Sequence, residues 1–145
     1  MKGRDILIAF IIIVALVAAV LLIKNKKTTT VLAPSASPSI QQQIESKFQG
    51  ITIPVDEEHI ELIDVSGGVG MGIATKTEIL ADLPTPPKGQ FYKAFLLSQS
   101  GKSVSLGNLD FAKGGWMLSY DLDKYPDYKK VVVSLNSTNI LEGSF

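Results

Sequence analysis

The sequence predicts a mainly β protein: an antiparallel β-sandwich, Ig-like or related, preceded by one N-terminal transmembrane helix. An unbroken apolar run of 18 residues, Ile6 to Ile23, stands near the start of the 145-residue chain. From Ile51 onward the apolar residues recur at every second position, which is the period of a half-buried strand. Gly, Pro and Asp clusters interrupt that pattern at short regular spacings, and no long helical pattern comes between them. Such spacing argues for a sandwich or barrel and against a parallel α/β sheet.

The first five residues form a short tail. Of the 18 residues that follow, fourteen are Leu, Ile, Val or Phe and four are Ala. As a helix at about 1.5 Å per residue the run is roughly 27 Å long, close to the hydrocarbon thickness of a lipid bilayer. A backbone in lipid must satisfy its own hydrogen bonds, so the segment is expected to be helical. The run exceeds the apolar part of a signal peptide and ends in Lys24, Asn25, Lys26 and Lys27. The expectation is therefore an uncleaved anchor with span ends at Ile6 and Ile23. Lys2 and Arg4 on one side nearly balance Lys24, Lys26 and Lys27 on the other, so the positive-inside rule does not orient it.

Residues 24–47 read as a stalk ending in a short helix. Thr28 to Pro38 is rich in Thr, Ser, Ala and Pro and carries no charge, the composition of an extended spacer. Ile40, Ile44 and Phe48 then recur at a spacing of four, with Ser39 in place to cap them and Gly50 to close. This is one face of a short amphipathic helix that docks on the following domain.

Residues 48–145 are expected to hold the β domain. Ile60 to Val65 and Val69 to Lys76 alternate as strands, the second with one face almost bare of side chains. Leu80 to Gly89, with prolines at 84, 86 and 87, reads as a stiff crossing, because proline cannot join a ladder. Phe91 to Leu97 is apolar at both alternations, which predicts a central strand buried on both sides. A hairpin loop at Ser98 to Lys102 leads to Val104 and Leu106, and further strands follow at Trp116 to Leu122, Val131 to Leu135 and Ile140 to Phe145.

Composition excludes several functions. There is no Cys and one His, His59, so disulfide frameworks, thiolate metal sites and multi-histidine sites within this sequence are out. The formal net charge is zero but unevenly spread: residues 48–145 carry eight Lys against twelve Asp or Glu (8 − 12 = −4), and residues 1–47 six basic against two acidic (6 − 2 = +4). A mildly acidic domain is a poor partner for phosphate backbones, so no nucleic acid is expected.

No catalytic, cofactor or metal residues are assigned. Gly67, Gly68, Gly70 and Gly72 lead into more strand rather than into a helix N-terminus, so they read as a glycine-faced strand and not as a phosphate loop. Asp121, Asp123 and Asp127 lack the glycine and glutamate of an EF-hand and read as a solvated turn. The tyrosines among them, Tyr120, Tyr125 and Tyr128, are candidate contacts to a partner or ligand. The acids around His59 read as a polar strand edge. Asn136-Ser-Thr138 matches a glycosylation sequon.

The succession Leu83-Pro-Thr-Pro-Pro-Lys-Gly89, Phe91-Tyr-Lys-Ala-Phe-Leu-Leu97, Gly101-Lys-Ser-Val-Ser-Leu-Gly107, Val131-Val-Val-Ser-Leu135 and Leu141-Glu-Gly-Ser-Phe145 resembles the extracytoplasmic C-terminal domain of the anti-sigma-K factor family. The likeness covers roughly Ile60 to Phe145. Members of that family place a sigma-binding helical domain in the cytoplasm, then one transmembrane helix, then this β domain outside. The resemblance implies a single-pass protein of the cell membrane with an extracytoplasmic binding or sensor domain. It implies action by protein interaction, not catalysis, through an unidentified partner that includes the sigma-regulatory kind. The five residues before the span are expected to hold no sigma-binding domain. Phe95 and Leu96 stand where the family usually carries a Trp, and Asn136-Ser-Thr-Asn139 replaces a longer Gly- and Pro-rich loop. Two other readings stand beside it. One is a pilin-like surface subunit, although Ile8 occupies the place of the pilin glutamate. The other is a cell-wall or carbohydrate-binding module that uses Tyr120, Tyr125 and Tyr128.

Overall fold

The spacing of Ile40, Ile44 and Phe48 is realised as helix α1, Ile40–Lys47. The Ser39 hydroxyl accepts from the Gln42 N–H while the Gln42 side chain accepts from the Ser39 N–H, each at 3.2 Å, which is a reciprocal capping box. At Gly50, φ is +74° and the chain reverses. Gln41 and Glu45, one turn apart, then hold Ile53. The Ile53 N–H donates to Glu45 Oε1 at 2.9 Å, and the Gln41 amide donates to the Ile53 carbonyl at 3.3 Å. The Ile53 N–H and then the Gln41 amide keep the Glu45 carboxyl below the usual carboxylate range.

The computed structural model describes residues 37–145, so Ile6, Ile23 and the run between them lie outside the described residues. Among the described residues no helix is long and apolar enough to cross a membrane. Helix α1 belongs to the same compact unit as the strands, which begins at Ser37.

Nine strands follow: β1 His59–Asp64, β2 Met71–Thr75, β3 Glu78–Asp82, β4 Tyr92–Ser98, β5 Ser103–Asn108, β6 Asp110–Ala112, β7 Gly115–Ser119, β8 Tyr128–Leu135 and β9 Thr138–Ser144. They form a single antiparallel sheet in the order β5-β4-β8-β9-β1-β2-β3-β7-β6, which curls until it is nearly closed. The mainly β, antiparallel expectation holds. The nine strands make one continuous sheet rather than two separate sheets.

Alternation explains the packing. Leu62 of β1, Ala74 of β2, Ile79 and Ala81 of β3, Ala94 and Leu96 of β4, Val131 and Val133 of β8 and Leu141 of β9 point inward into one core. The other side of β2, β3 and β7 carries Met71, Ile73, Leu80 and Met117, and these pack with Ile44, Phe48 and Ile53 from α1 and the segment after it. Strands β2 and β3 are thus buried on both faces, inside by the core and outside by the helix.

Two strands differ from the sequence expectation in their place along the chain. Residues Glu78–Asp82, partly assigned to the proline crossing, are strand β3, paired with both β2 and β7. Their apolar centre Ile79-Leu80-Ala81 shows no alternation because both faces are covered. The crossing itself begins at Leu83. Its carbonyls are held by aromatic donors: the Trp116 indole N–H donates to Leu83 O at 3.1 Å, and the Tyr92 hydroxyl donates to Pro84 O at 3.0 Å. The second difference is strand β6, a three-residue partner of β7 that shows no readable pattern of its own.

The turn between β6 and β7, at Lys113 and Gly114, brings the chain against α1. The Gln49 N–H donates to Lys113 O at 2.8 Å. A Cβ at Gly115 would lie 2.2 Å from the Phe48 ring, so only glycine allows the ring this seat. Phe48 is 1% exposed, and Phe48→Ala is expected to cost about 3–5 kcal/mol, the usual range for truncating a buried Phe. Urea denaturation of residues 37–145 measures this, and a loss below about 1 kcal/mol would mean that the ring does not hold the helix in place.

Candidate functional site

A strand inside a curled sheet turns alternate side chains outward whether or not anything covers them. On β2, β3 and β7 the outward residues meet α1. On β4 and β8 they line an open groove of about 600 Å³. Phe91, Lys93, Phe95 and Leu97 come from β4 and the residue before it, and Val132 and Ser134 from β8. The ladder places Phe95 beside Val132 and Lys93 beside Ser134. Strand β4 is therefore buried on one face only, which corrects the expectation of a strand buried on both. Period-two alternation of apolar residues reads the same for a covered face and for an apolar groove wall, so the pattern did not separate them.

The rim is polar. Gly89 and Gln90 border one end, Ser103 lies on the β5 side, and Asn136, Ser137 and Asn139 come from the β8–β9 hairpin. That hairpin has a two-residue loop in which Asn136 has φ +49° and Ser137 φ +68°. Two successive positive values fit the I′ geometry matched to strand twist, in which the second position favours glycine. The Asn139 amide donates to Glu142 Oε1 at 2.8 Å, and Glu142 also pairs with Lys130. The Lys130 ammonium, aided by Asn139, holds the Glu142 carboxyl below the usual carboxylate range. Lys93 is the one charged residue lining the groove, and among the described residues it enters no ion pair.

The three candidate tyrosines do not reach this groove. The Tyr120 hydroxyl donates to the Thr75 carbonyl, and burial pushes its phenol upward. Tyr125 and Tyr128 meet edge to face with centroids 6.0 Å apart. They border different hollows, Tyr125 with Glu58, Lys76 and Lys129, and Tyr128 with Ser98, Lys102 and Asp127. Asp121 pairs with Lys124 at 3.5 Å and caps a short 3-10 turn, Leu122–Lys124. His59 Nδ1 lies 2.9 Å from the Glu57 carbonyl. Among the described residues no three His, Cys, Asp or Glu side chains gather as a metal-binding group.

The glycine-rich loop has an internal occupant. Asp64, at the end of β1, accepts from the Ser66 N–H and hydroxyl, both at 2.8 Å, and from the Gly68 N–H at 3.0 Å and the Gly70 N–H at 2.9 Å. Backbone N–H groups that would otherwise form an anion-binding nest already hold a carboxylate of the same chain. Desolvation raises the Asp64 pKa, but the hydrogen bonds from Ser66, Gly68 and Gly70 outweigh it and the net shift is downward. Gly72 shows the close packing expected of a glycine-faced strand, since a Cβ there would lie 2.7 Å from the Leu80 carbonyl oxygen.

Comparison with protein-family models, curated proteins and solved structures finds no match.

A carboxyl with a depressed folded pKa stabilises the fold above its unfolded pKa, and this stabilisation is lost as the pH falls through the folded value. Asp64→Asn is therefore expected to lower stability by about 0.5–1.5 kcal/mol at neutral pH, the net worth of a hydrogen bond in a largely exposed loop. The gap between the variant and the native chain should shrink as the pH falls below about 4. Thermal melts of both proteins across that range check it. A gap independent of pH would show that charge is not what the loop recognises.

Proposed function

We propose that the chain is a membrane-held recognition module that acts by binding and not by catalysis. Ile6–Ile23 anchors it as a single-pass protein in the cell membrane, with residues 37–145 on the extracytoplasmic side and residues 24–36 as spacer. In finer detail the domain is read as a sandwich-like fold made by one sheet turned on itself, since inward residues of both halves share one core. The observation that carries the reading is the open groove on β4 and β8, whereas the outer side of β2, β3 and β7 is packed by α1 and the segment after it. A sheet that covers one apolar outer patch with its own helix and leaves another open keeps the second for something else.

The resemblance to anti-sigma regulators supplies the rest. The domain senses a molecule outside the membrane and passes its state to a protein partner, of which a sigma-regulatory component is one kind.

Fractionation with protease treatment of intact cells tests the placement. The full chain is expected in the membrane fraction, with its C-terminal domain cleaved from outside. A chain found in the cytosol, or a domain fully protected in intact cells and cleaved only after lysis, would overturn it. A photo-crosslinking residue in place of Phe95 tests the groove. It should give adducts that the same residue in place of Glu61, on the exposed side of β1, does not give. Equal labelling from both positions would remove the groove as the recognition surface.

A further inference from the structure

We propose that the ligand of the β4–β8 groove is a carboxylate-bearing oligosaccharide, held with its apolar ring face on Phe91 and Phe95 and its carboxylate at Lys93. This names a ligand class for the recognition surface described above and rests on that reading.

The groove lies on the face of the sheet. There the backbone groups of β4 are engaged on both sides, by β5 and by β8. A ligand in this place meets side chains and has no free strand edge to extend, unlike a peptide that adds a strand. The side chains offered are of two kinds. Phe91, 56% exposed, and the half-buried Phe95 present aromatic surface four residues apart, with Lys93 between them. Gln90, Ser103, Asn136, Ser137 and Asn139 present amides and hydroxyls around it, each able to donate and accept. A pyranose has the matching halves: a patch of C–H bonds on a ring face, and hydroxyls at its edge that both donate and accept. A volume of about 600 Å³ lies within the range of small-ligand sites.

Charge narrows the class. Residues 48–145 carry net −4 (8 − 12), yet the groove lining holds one lysine and no acid. The nearby Glu142 is already engaged by Lys130 and Asn139. Lys93 sits between Phe91 and Phe95 on the same side of β4, so a carboxylate on a sugar stacked over either ring lies within its reach. The hairpin loop adds an independent sign. Ser137 holds φ +68° where glycine is favoured, a conformation that costs a non-glycine residue free energy. Serine in that place keeps a hydroxyl on the groove rim.

Calorimetric titration of the full chain in detergent micelles tests this with three probes: tetragalacturonate, the neutral cellotetraose and hexaglutamate. Tetragalacturonate is expected to bind best, and to weaken as NaCl rises from about 50 to 500 mM because the contact is partly exposed. Lys93→Gln should weaken it about tenfold while leaving cellotetraose unchanged, the loss of one charge-assisted contact. Phe95→Ala should weaken both sugars roughly fivefold or more through lost stacking area. Circular dichroism confirms that each variant is folded. Cellotetraose binding as tightly as tetragalacturonate, hexaglutamate binding more tightly than either, or no binding by any probe would each overturn the proposal. If specific crosslinks from position 95 persist in any of these cases, the ligand class has failed and the recognition surface stands. If those crosslinks are absent as well, the surface itself has failed.

Discussion

The Phe48 ring seated on Gly115 is the contact on which the architecture turns. A curled sheet can turn only one of its faces into its core. Here the outer face of β2, β3 and β7 is nearly as apolar as the inner one, with Met71, Ile73, Leu80 and Met117 pointing away from the core. Left in water that surface would oppose folding. Helix α1 covers it, and the ring can approach only because position 115 has no Cβ. Lys47 adds an ion pair with Asp82 at 3.2 Å, but with both side chains well exposed such a pair contributes about 0–1 kcal/mol. Burial, not charge, therefore decides where the helix sits.

The covering of one outer half makes the openness of the other informative. Helix α1 and the segment after it pack on the outside of β2, β3 and β7, whereas on the outer side of β4 Lys93 is exposed and Phe95 and Leu97 are half-buried. The crossing from β3 to β4 is stiffened by Pro84, Pro86 and Pro87. The prolines of that crossing bring carbonyls and no N–H groups, and Trp116 and Tyr92 donate to two of its carbonyls. The same two rings meet edge to face with centroids 5.4 Å apart, which ties β7, β4 and the crossing together on the core side of the sheet.

Much of this was legible in the sequence. A spacing of four with a serine ahead of it is a helix that caps itself, and α1 formed there. Alternation marked β5 and β7, and β2 was legible because its second face is largely glycine and alanine. What escaped has a common physical cause: residues with two covered faces, or with none, carry no period. Ile79-Leu80-Ala81 lost its alternation because α1 lies over one side and the core over the other. Phe91, Phe95 and Leu97 kept theirs but did not say whether protein or solvent lay beyond. The three tyrosines were grouped by nearness along the chain, and Tyr120 was drawn to Thr75 on a strand far away in sequence. The Asp64 loop was readable in principle, since a strand-end aspartate followed by serine and glycines is how a chain wraps its own carboxylate.

That self-wrapped carboxylate also bears on where a ligand can bind. The loop after β1 turns the N–H groups of Ser66, Gly68 and Gly70 toward one carboxylate, an arrangement suited to anions. Asp64 fills it with four hydrogen bonds from the loop's own N–H groups and the Ser66 hydroxyl, and any external anion would have to displace a charge already in place. The hydroxyl- and amide-rimmed groove has no such resident group. Its one lysine faces solvent between two phenylalanines, so an incoming carboxylate gains a partner there without breaking one. The chain has filled the Asp64 loop from within, while Lys93 in the groove enters no ion pair among the described residues.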